Sequence, residues 1–393
     1  MNLLQEAGAL PLAEYRRYLH SHAELGFDLK NTISYVKKQL KSMGLQPKVY
    51  GKAGLAADII GRKPGGIFLL RADMDALPIR EEADVSFANQ NGQMHACGHD
   101  LHTAMLLGAA QLLINHREEL YGTVRLMFQP AEEILQGAAD MIGHGILDGV
   151  EGAMMLHVLT CSELPTGTVI LPAAGVSAPS ADFFTVAVHG SGCHGALPHT
   201  GIDPIPPACH ILQALQTIQT REMPPEEGVV LTVGSFQAGA AANVIADKAI
   251  LKGTMRTYSE ETRRKFKNRM VRMVKNLAGT FRAEAAVFFD TGCPTLVNHQ
   301  RLIEQASEIL PQLLGEEKVI TPQMLSQNAR GSGSEDFAYV SHEVPSLMVA
   351  LAAGQKSEGH IHPAHHPKTT FDEAVLPYGA AIYAQMALKK ADA

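Results

Sequence analysis

The chain has 393 residues, of which 46% are hydrophobic, and a formal net charge of −7 at pH 7. One hydrophobic core rarely serves a chain of this length, so we expect two domains. The acidic balance argues against nucleic acid or an anionic membrane as a partner and favours a small molecule.

The sequence features that bear on localisation favour the cytoplasm. The N-terminal residues lack the basic stretch and long apolar core of a secretory signal, and no apolar stretch is long enough to cross a bilayer. The five cysteines form an odd and scattered set, which fits a reducing compartment better than a disulfide framework. We therefore expect a cytoplasmic protein that binds no membrane.

Helical periodicity covers residues 12 to about 45, with a break at 24–27. The helix restarts near Asn31 and Thr32, and either side chain can cap it. Apolar strands then follow, at 54–61 and 66–71.

The second of these strands runs into Asp73 and Asp75. Carboxylates just past the end of a buried strand occupy the place where open α/β sheets bind their ligands. A strand-ending turn rich in Asp and Pro explains them equally well.

Helices and strands then alternate along the chain. The pattern predicts a helix at 103–115, a strand at 123–128, a helix at 131–144 and a strand at 152–158. Because these strands are continuous apolar runs, they predict an α/β fold with a mostly parallel sheet flanked by helices.

A thiol and an imidazole lie close together at Cys97 and His99, with further histidines on either side. In an extended segment, residues two apart point to the same side, which suits metal ligation. Histidine is also common as a polar group near helix starts, so the cluster alone does not decide for a metal.

Adjacent carboxylates follow the strand at 123–128, at Glu132 and Glu133. Pro130 suits the first turn of a helix, whose N-terminus favours carboxylates. Alternatively, because neighbouring side chains diverge, one glutamate could hold a metal while the other handles a water molecule.

Further candidate ligands are His157, at the end of a predicted strand, and the histidine run at 360–366. A lone histidine on a buried strand is often a core residue, and a His/Pro-rich run is often a surface loop. Four candidate groups that each end a strand or open a helix favour one common site.

In the middle of the chain, the predicted strands and helices follow the order β-α-β-β-α-β, which predicts a ferredoxin-like inserted domain. We place the catalytic domain at 1–181 and 293–393 and the inserted domain at 182–292. Residues 190–195 (GSGCHG) match a dinucleotide-binding pattern, but the prolines that follow delay the helix that such a site requires, so we reject it.

These motifs resemble the amidohydrolase branch of the di-metal aminoacylase and carboxypeptidase family, family twenty of the metallopeptidases. Members include hippurate hydrolases, N-acetyl-diaminopimelate deacetylases, aminobenzoyl-glutamate hydrolases and auxin-conjugate hydrolases. The similarity covers about residues 16–380 in the family's order. The shared motifs are 71–78 (RADMDALP), 95–102 (HACGHDLH), 129–133 (QPAEE), His157, 333–337 (GSEDF) and 365–367 (HHP).

The resemblance implies a centre with two divalent ions, manganese or zinc, with cobalt and nickel as alternatives. Glu132 would be the general acid and base. His365 is preferred to the neighbouring histidines because its distance from Leu376 fits the family's closing motif. The implied metal ligands are Cys97, His99, Glu133, His157 and His365.

The inserted domain would be the family's lid domain, which often forms a homodimer, with a tetramer as the alternative. The resemblance implies that His194 stabilises the oxyanion and that Asn243 and Arg256 contact the substrate carboxylate. Cys193 replaces a glycine that is usual in the family, which puts the loop conformation in doubt. The loops at 172–179 and 327–333 are expected to shape the pocket.

We therefore expect hydrolysis of N-acyl amino acids, with acetyl, benzoyl or similar acyl groups, by a metal-activated water. Dipeptidase or carboxypeptidase action by the same fold is one alternative. Others are a metal-free cysteine hydrolase that uses Cys97 and a metal-dependent binding protein without turnover. The motifs H-E-x-x-H and G-x-S-x-G are not present in the sequence.

Overall fold

The computed structural model describes residues 2–324, 331 and 333–389. Its helices are α1 (Leu3–Gly8), α2 (Leu12–Ser21), α3 (Lys30–Ser42), α4 (His99–Asn115), α5 (Gly137–Gly143), α6 (Ile205–Thr217), α7 (Glu260–Thr280), α8 (Gln300–Leu314), α9 (Ala338–Glu343) and α10 (Leu376–Lys389). Among these helices of the described part, none is both long and apolar enough to cross a membrane.

The strands complete the secondary structure. They are β1 (Lys48–Tyr50), β2 (Gly54–Ile60), β3 (Lys63–Asp73), β4 (Tyr121–Gln129), β5 (Val150–Leu159), β6 (Val169–Ile170), β7 (Gly175–Ala178), β8 (Ser180–His189), β9 (Cys193–His194), β10 (Val230–Ala238), β11 (Val244–Ile245), β12 (Lys248–Thr257), β13 (Glu284–Cys293), β14 (Leu296–Asn298), β15 (Val319–Ile320) and β16 (Ser346–Ala352).

The chain divides into two compact units. The first unit comprises Met1–Ser177, Val297–Ala329 and Asp336–Ala393, and the second comprises Ala178–Leu296 with Arg330–Glu335.

An eight-stranded sheet, ordered β1-β2-β4-β3-β5-β16-β6-β15, forms the centre of the first unit. Its central strands β4, β3, β5 and β16 are parallel neighbours. The predicted mostly parallel sheet with flanking helices is therefore confirmed. Parallel strands end at one edge of a sheet, so the residues that follow β3, β4 and β5 are brought together there.

A four-stranded antiparallel sheet, ordered β10-β12-β8-β13, forms the second unit. The side chains of Phe184, Val186 and Val188 on β8 pack with apolar side chains of α6 and α7 in one core. The chain order β-α-β-β-α-β and this strand order are those of a ferredoxin-like unit, which confirms the predicted fold class.

Helix α4 is buried on all sides, which explains its continuous apolar sequence. It packs against α2 and α10. A Cβ atom at Gly108 would lie 2.6 Å from Leu12 Cδ2 and 2.9 Å from Ala380 Cβ, and a Cβ atom at Gly379 would lie 1.9 Å from Met105 Sδ. Glycine at these positions permits α2 and α10 to approach α4 closely.

The predicted cap of α3 is wrong. Leu29 occupies the N-cap position and provides no side-chain cap. The carboxylate of Glu24 instead accepts hydrogen bonds from the backbone N–H groups of Asn31 and Thr32, both at 3.0 Å. Glu24, five positions before the N-cap residue, thus caps the helix, because the intervening turn folds back on it.

A buried charge cluster connects α2 to the first turn of α4. The Asp100 carboxylate accepts hydrogen bonds from Arg16 Nε and from His20 Nδ1, both at 2.8 Å. His20 Nε2 lies 3.0 Å from the Glu81 carboxylate. Burial lowers the pKa of His20, but the charge and hydrogen bond of Asp100 and the hydrogen bond of Glu81 outweigh it and raise this pKa to about 9.

We expect His20 to make stability depend on pH. The folded pKa of His20, about 9, exceeds the unfolded value of about 6.5. Its contribution to the free energy of unfolding is therefore fully present below the unfolded pKa and is lost as pH rises through the folded pKa. His20→Gln should therefore lower the free energy of unfolding by up to about 3 kcal/mol near pH 6 and by much less near pH 10. Urea unfolding of both proteins at several pH values measures this, and a difference that does not change with pH would contradict it.

Candidate metal centre

Cys97 and His99 flank the start of α4. Our prediction of an extended segment was wrong here, because Gly98 has a left-handed backbone with φ 88° and α4 already begins at His99. A Cβ atom at Gly98 would lie 2.4 Å from Val158 Cγ2, so only glycine permits this turn against β5. The turn brings Cys97 Sγ to 3.6 Å from His157 Nε2.

The rings of His99 and His157 are oriented by backbone carbonyl groups. His99 Nδ1 lies 2.9 Å from Asp75 O, and His157 Nδ1 lies 2.8 Å from Val158 O. A carbonyl only accepts, so each Nδ1 carries a proton. This leaves Nε2 of each ring as the metal-ligand atom, an arrangement common in metal centres. Among the described residues, the buried Nε2 of His99 has no hydrogen-bond partner.

Glu132 and Glu133 lie on a turn and not at a helix N-terminus. The predicted helix from residue 131 is wrong at its start, because α5 begins only at Gly137. Ala131 has a left-handed φ of 55°. Such strain in a non-glycine residue persists only where the surrounding structure imposes it.

Asp75 fixes the direction of this turn. Its carboxylate accepts hydrogen bonds from the backbone N–H groups of Glu132, at 2.9 Å, and Glu133, at 3.2 Å. Left-handed Ala131 precedes them, and consecutive N–H groups in such a turn form a concave site for an anion. Asp75 thus uses both its backbone carbonyl and its side chain to orient groups of the centre.

His365 is the histidine of the 360–366 run that joins the centre. Its backbone N–H donates to Ala96 O at 2.9 Å, and its Nε2 lies 3.7 Å from the Glu133 carboxylate. His365 has a left-handed φ of 66°, so its backbone is also strained. His360 instead contacts Thr370, and His362 stacks on His366 with ring centroids 4.3 Å apart.

Groups of potential ligand atoms converge within 4.8 Å of one another. Three of these groups consist of predicted site residues: Cys97, His99 and His157; Cys97, Glu133 and His365; and His99, Glu132 and Glu133. The five predicted ligands and the predicted acid/base residue therefore lie in one place. A mixed set of thiol, imidazole and carboxylate donors fits a divalent transition metal.

The electrostatics of the centre also favour a cation. Burial lowers the pKa of His99, but the Asp73 carboxylate, 3.6 Å from its Nε2, acts together with Asp75 and Cys97 against burial, and the net result is a pKa well above the usual value. Burial lowers the pKa of His157 to about 3 and raises that of the Cys97 thiol to about 12. The centre thus attracts positive charge at His99 and keeps His157 neutral. A metal that binds here must displace a proton from His99 and from the Cys97 thiol, so metal binding releases protons.

His102 and Asp73 are residues whose roles sequence reasoning missed. His102 Nδ1 donates to the Asp73 carboxylate at 2.6 Å, and its Nε2 accepts from Val158 N at 2.9 Å. Both ring nitrogens are therefore occupied, and His102 supports the ligands without being one. The signal was available, because His102 lies three residues after His99 on the same helix face.

His194, Asn243 and Arg256 belong to the second unit. Val244, next to Asn243, pairs with His194 in a short antiparallel ladder, and Gly195 N donates to Asn243 O at 2.8 Å. Arg256 on β12 donates to Ser334 Oγ at 2.7 Å. Of the expected pocket loop at 327–333, residues 327–330 and 332 lie outside the described residues.

Comparisons with known proteins agree on one family. The model of peptidase family M20/M25/M40 matches residues 69–389. The N-acetyl-L-cysteine deacetylase of Bacillus subtilis is 38% identical over 363 residues, which span 92% of this chain and 83% of that protein. Thermostable carboxypeptidase 1 of Saccharolobus solfataricus is 35% identical over 96% of this chain and 95% of its own length.

A solved structure gives the same result. The YXEP protein of Bacillus subtilis, a dinuclear metal binding peptidase from the M20 family, superposes with a TM-score of 0.80. It is 32% identical in sequence, and the superposition covers 97% of each chain.

We expect Asp75→Asn to weaken metal binding. An asparagine would present an NH2 group to one of two backbone N–H donors, which loosens the turn that carries Glu133. Affinity should fall about 10- to 100-fold, as for other residues that orient ligands. Competition with a chromophoric chelator measures the affinity for metal.

Asp140→Asn is the matched control, because Asp140 also accepts from a backbone N–H group, that of Lys52 at 2.8 Å. Equal affinities in the two variants would contradict the role of Asp75.

Proposed function

The chain belongs to peptidase family M20/M25/M40, and from this premise we propose how it acts as a metal-dependent amidohydrolase of N-acyl amino acids. It cleaves the amide bond to give a carboxylate and a free amino acid. The observation that carries the proposal is the convergence of Cys97, His99, Glu133, His157 and His365 beside Glu132.

Two divalent ions would be held by two groups of ligands that overlap at Cys97. One group consists of Cys97, His99 and His157, and the other of Cys97, Glu133 and His365. When bound, the ions would acidify a water molecule and polarise the amide carbonyl group. Manganese or zinc suits this donor set, with cobalt and nickel as alternatives.

Glu132 would move the protons of the reaction. Its side chain is 8% exposed, and its backbone N–H group donates a hydrogen bond to the Asp75 carboxylate. As general base, its carboxylate would take a proton from the attacking water. The same proton would then pass to the nitrogen of the leaving amine, so that Glu132 returns to its starting state.

His194 would donate a hydrogen bond to the oxyanion. Its Nδ1 accepts from Ala196 N at 3.0 Å, so in the neutral ring Nε2 carries the proton and is a donor. Asn243 and Arg256 would bind the free carboxylate of the substrate. A guanidinium group matches a carboxylate in geometry and charge, and the hydrogen bond to Ser334 fixes one side of the Arg256 group.

A homodimer formed through the second unit is proposed as the assembly, with a tetramer as the alternative. Its sheet exposes large apolar side chains: Phe183 is 40% exposed, Phe288 55% and Val230 49%. Apolar area of this kind on one surface favours association. No disulfide bond joins the five cysteines, all of which lie in the described part of the chain, and this suits the proposed cytoplasmic location.

Two other functions have specific support. Carboxypeptidase or dipeptidase action is favoured by the similarity to the carboxypeptidase of Saccharolobus solfataricus. A metal-free cysteine hydrolase is supported by the 3.6 Å distance between Cys97 Sγ and His157 Nε2, which is within the range of a nucleophile and its base in an unliganded enzyme. The raised pKa of the Cys97 thiol and the lowered pKa of His157 oppose formation of the thiolate that this reaction requires.

Removal of metal separates these functions. We expect protein stripped with EDTA to cleave none of a panel of N-acetyl and N-benzoyl amino acids, and manganese or zinc to restore cleavage, because no side chain of the centre replaces the ions. Dipeptides in the same panel test the peptidase function. Full activity in EDTA together with inactivation by a thiol reagent would instead favour the cysteine hydrolase.

Glu132→Gln should lower kcat by a factor of about 10² to 10⁴ or more, because an amide cannot accept the proton of the water. Metal content, measured by mass spectrometry of the metal, should stay at the wild-type value. Glu132→Asp retains a carboxylate at a changed distance, so its kcat should lie between those of wild type and Glu132→Gln. A Gln variant with wild-type kcat would exclude Glu132 as the acid/base residue.

A further inference from the structure

The turn that carries Glu132 and Glu133 is strained at both ends. Ala131 and Leu135 each have a left-handed φ of 55°, a conformation that non-glycine residues adopt only when other contacts impose it. The turn is also tightly closed, since a Cβ atom at Gly137 would lie 1.6 Å from Pro130 O. Contacts outside the turn must therefore hold it.

Asp336 provides such contacts on both sides of the turn. Its Oδ1 accepts from the Gln129 side-chain amide at 2.6 Å, and its Oδ2 accepts from Ala138 N at 3.0 Å. Gln129 is the last residue of β4, before the turn, and Ala138 lies in the first turn of α5, after it. One fully buried carboxylate thus joins the beginning and the end of the segment.

The charge of Asp336 is balanced by Arg71, which donates to the same Oδ1 atom at 3.0 Å. Arg71 also donates to Asp73 at 2.7 Å and to the Gln129 side-chain oxygen at 2.9 Å. The hydrogen bonds described here, from Gln129, Ala138 and Arg71, all come from donors. A neutral asparagine would therefore direct its own NH2 group at a donor whichever way it is rotated, and it would leave part of the Arg71 charge without compensation.

We propose that Asp336 is a positioning residue that clamps the turn 130–137 from both sides, so that Glu132 and Glu133 face the metal centre. Asp336 acts through Gln129 and Ala138 and does not take part in proton transfer. This inference rests on the proposed function for its effect on catalysis, whereas its effect on the turn can be measured without substrate.

The test compares full-length Asp336→Asn with wild type by hydrogen exchange and by kinetics of the metal-loaded enzyme. We expect amide exchange in peptides covering 130–138 to be at least tenfold faster in the variant, with unchanged exchange in peptides from the interior of α4. We expect kcat for an N-acyl amino acid to fall about 10- to 100-fold, as for residues that orient ligands, with KM changed less than threefold.

Tyr383→Phe is the matched control for a general loss of stability. The Tyr383 hydroxyl is fully buried, donates to Arg71 O at 2.6 Å and accepts from Leu156 N at 2.9 Å. This variant should lower the melting temperature but keep kcat and the exchange of 130–138 close to wild type. Equal effects of the two variants on the turn and on kcat would overturn the proposal.

Gln129→Met is a second variant in case Asp336→Asn does not fold. It removes the contact between Gln129 and Asp336 and keeps the one between Asp336 and Ala138. We therefore expect faster amide exchange in 130–138 and a smaller fall in kcat than in Asp336→Asn. Unchanged exchange in this variant would overturn the clamp. If wild type itself cleaves no N-acyl amino acid, the proposed function fails, and the exchange measurements still decide the role of Asp336.

Discussion

The parallel register of β3, β4 and β5 is the constraint on which the candidate centre depends. Asp73 pairs with Gln129, and Arg71 pairs with both Met127 and Met155. The three strands consequently end at the same edge of the sheet, and their following residues meet there. Helix α4 completes the centre because its first residue, His99, faces this edge.

Burial makes the charges around this edge interdependent. Asp73 lies between Arg71 and His102, and Asp336 shares Arg71 with it. A buried carboxylate without a partner would be costly, whereas each of these acids has hydrogen-bond donors on both sides. The same network lowers the pKa of Asp73 well below its usual value, chiefly through His99 and Arg71 acting against burial. A negative charge is thereby kept next to the metal-ligand atoms.

Sequence patterns predicted the sheet and the ferredoxin-like unit, because period and strand-end position are local properties. The patterns also indicated the groups of candidate residues for the centre, whereas the choice of His365 and the separate roles of Glu132 and Glu133 followed from the family resemblance. They did not predict the local backbone. Gly98, Ala131 and His365 are all left-handed, and for the last two residues nothing in their identity indicates this, since tertiary contacts impose it. The start of α5 was misplaced for this reason: Pro130 suited a helix, but the clamp by Asp75 and Asp336 keeps the chain in a turn.

The cap of α3 shows the same limit. Glu24 reaches Asn31 and Thr32 only because the chain folds back between them. The spacing of His102 from His99 indicated that His102 lies at the centre, but not that it supports the ligands without being one. His102 has the residue type and spacing of a ligand, yet Asp73 and the Val158 N–H group occupy both of its nitrogens. His99 and His157 differ from it, since each binds a backbone carbonyl group through Nδ1, and Nε2 of each ring faces other candidate ligands, such as Cys97 Sγ at 3.6 Å from His157 Nε2. Whether a histidine in this fold can bind a metal is therefore decided by which backbone and side-chain groups face its ring nitrogens, and the register of the sheet in turn places these groups.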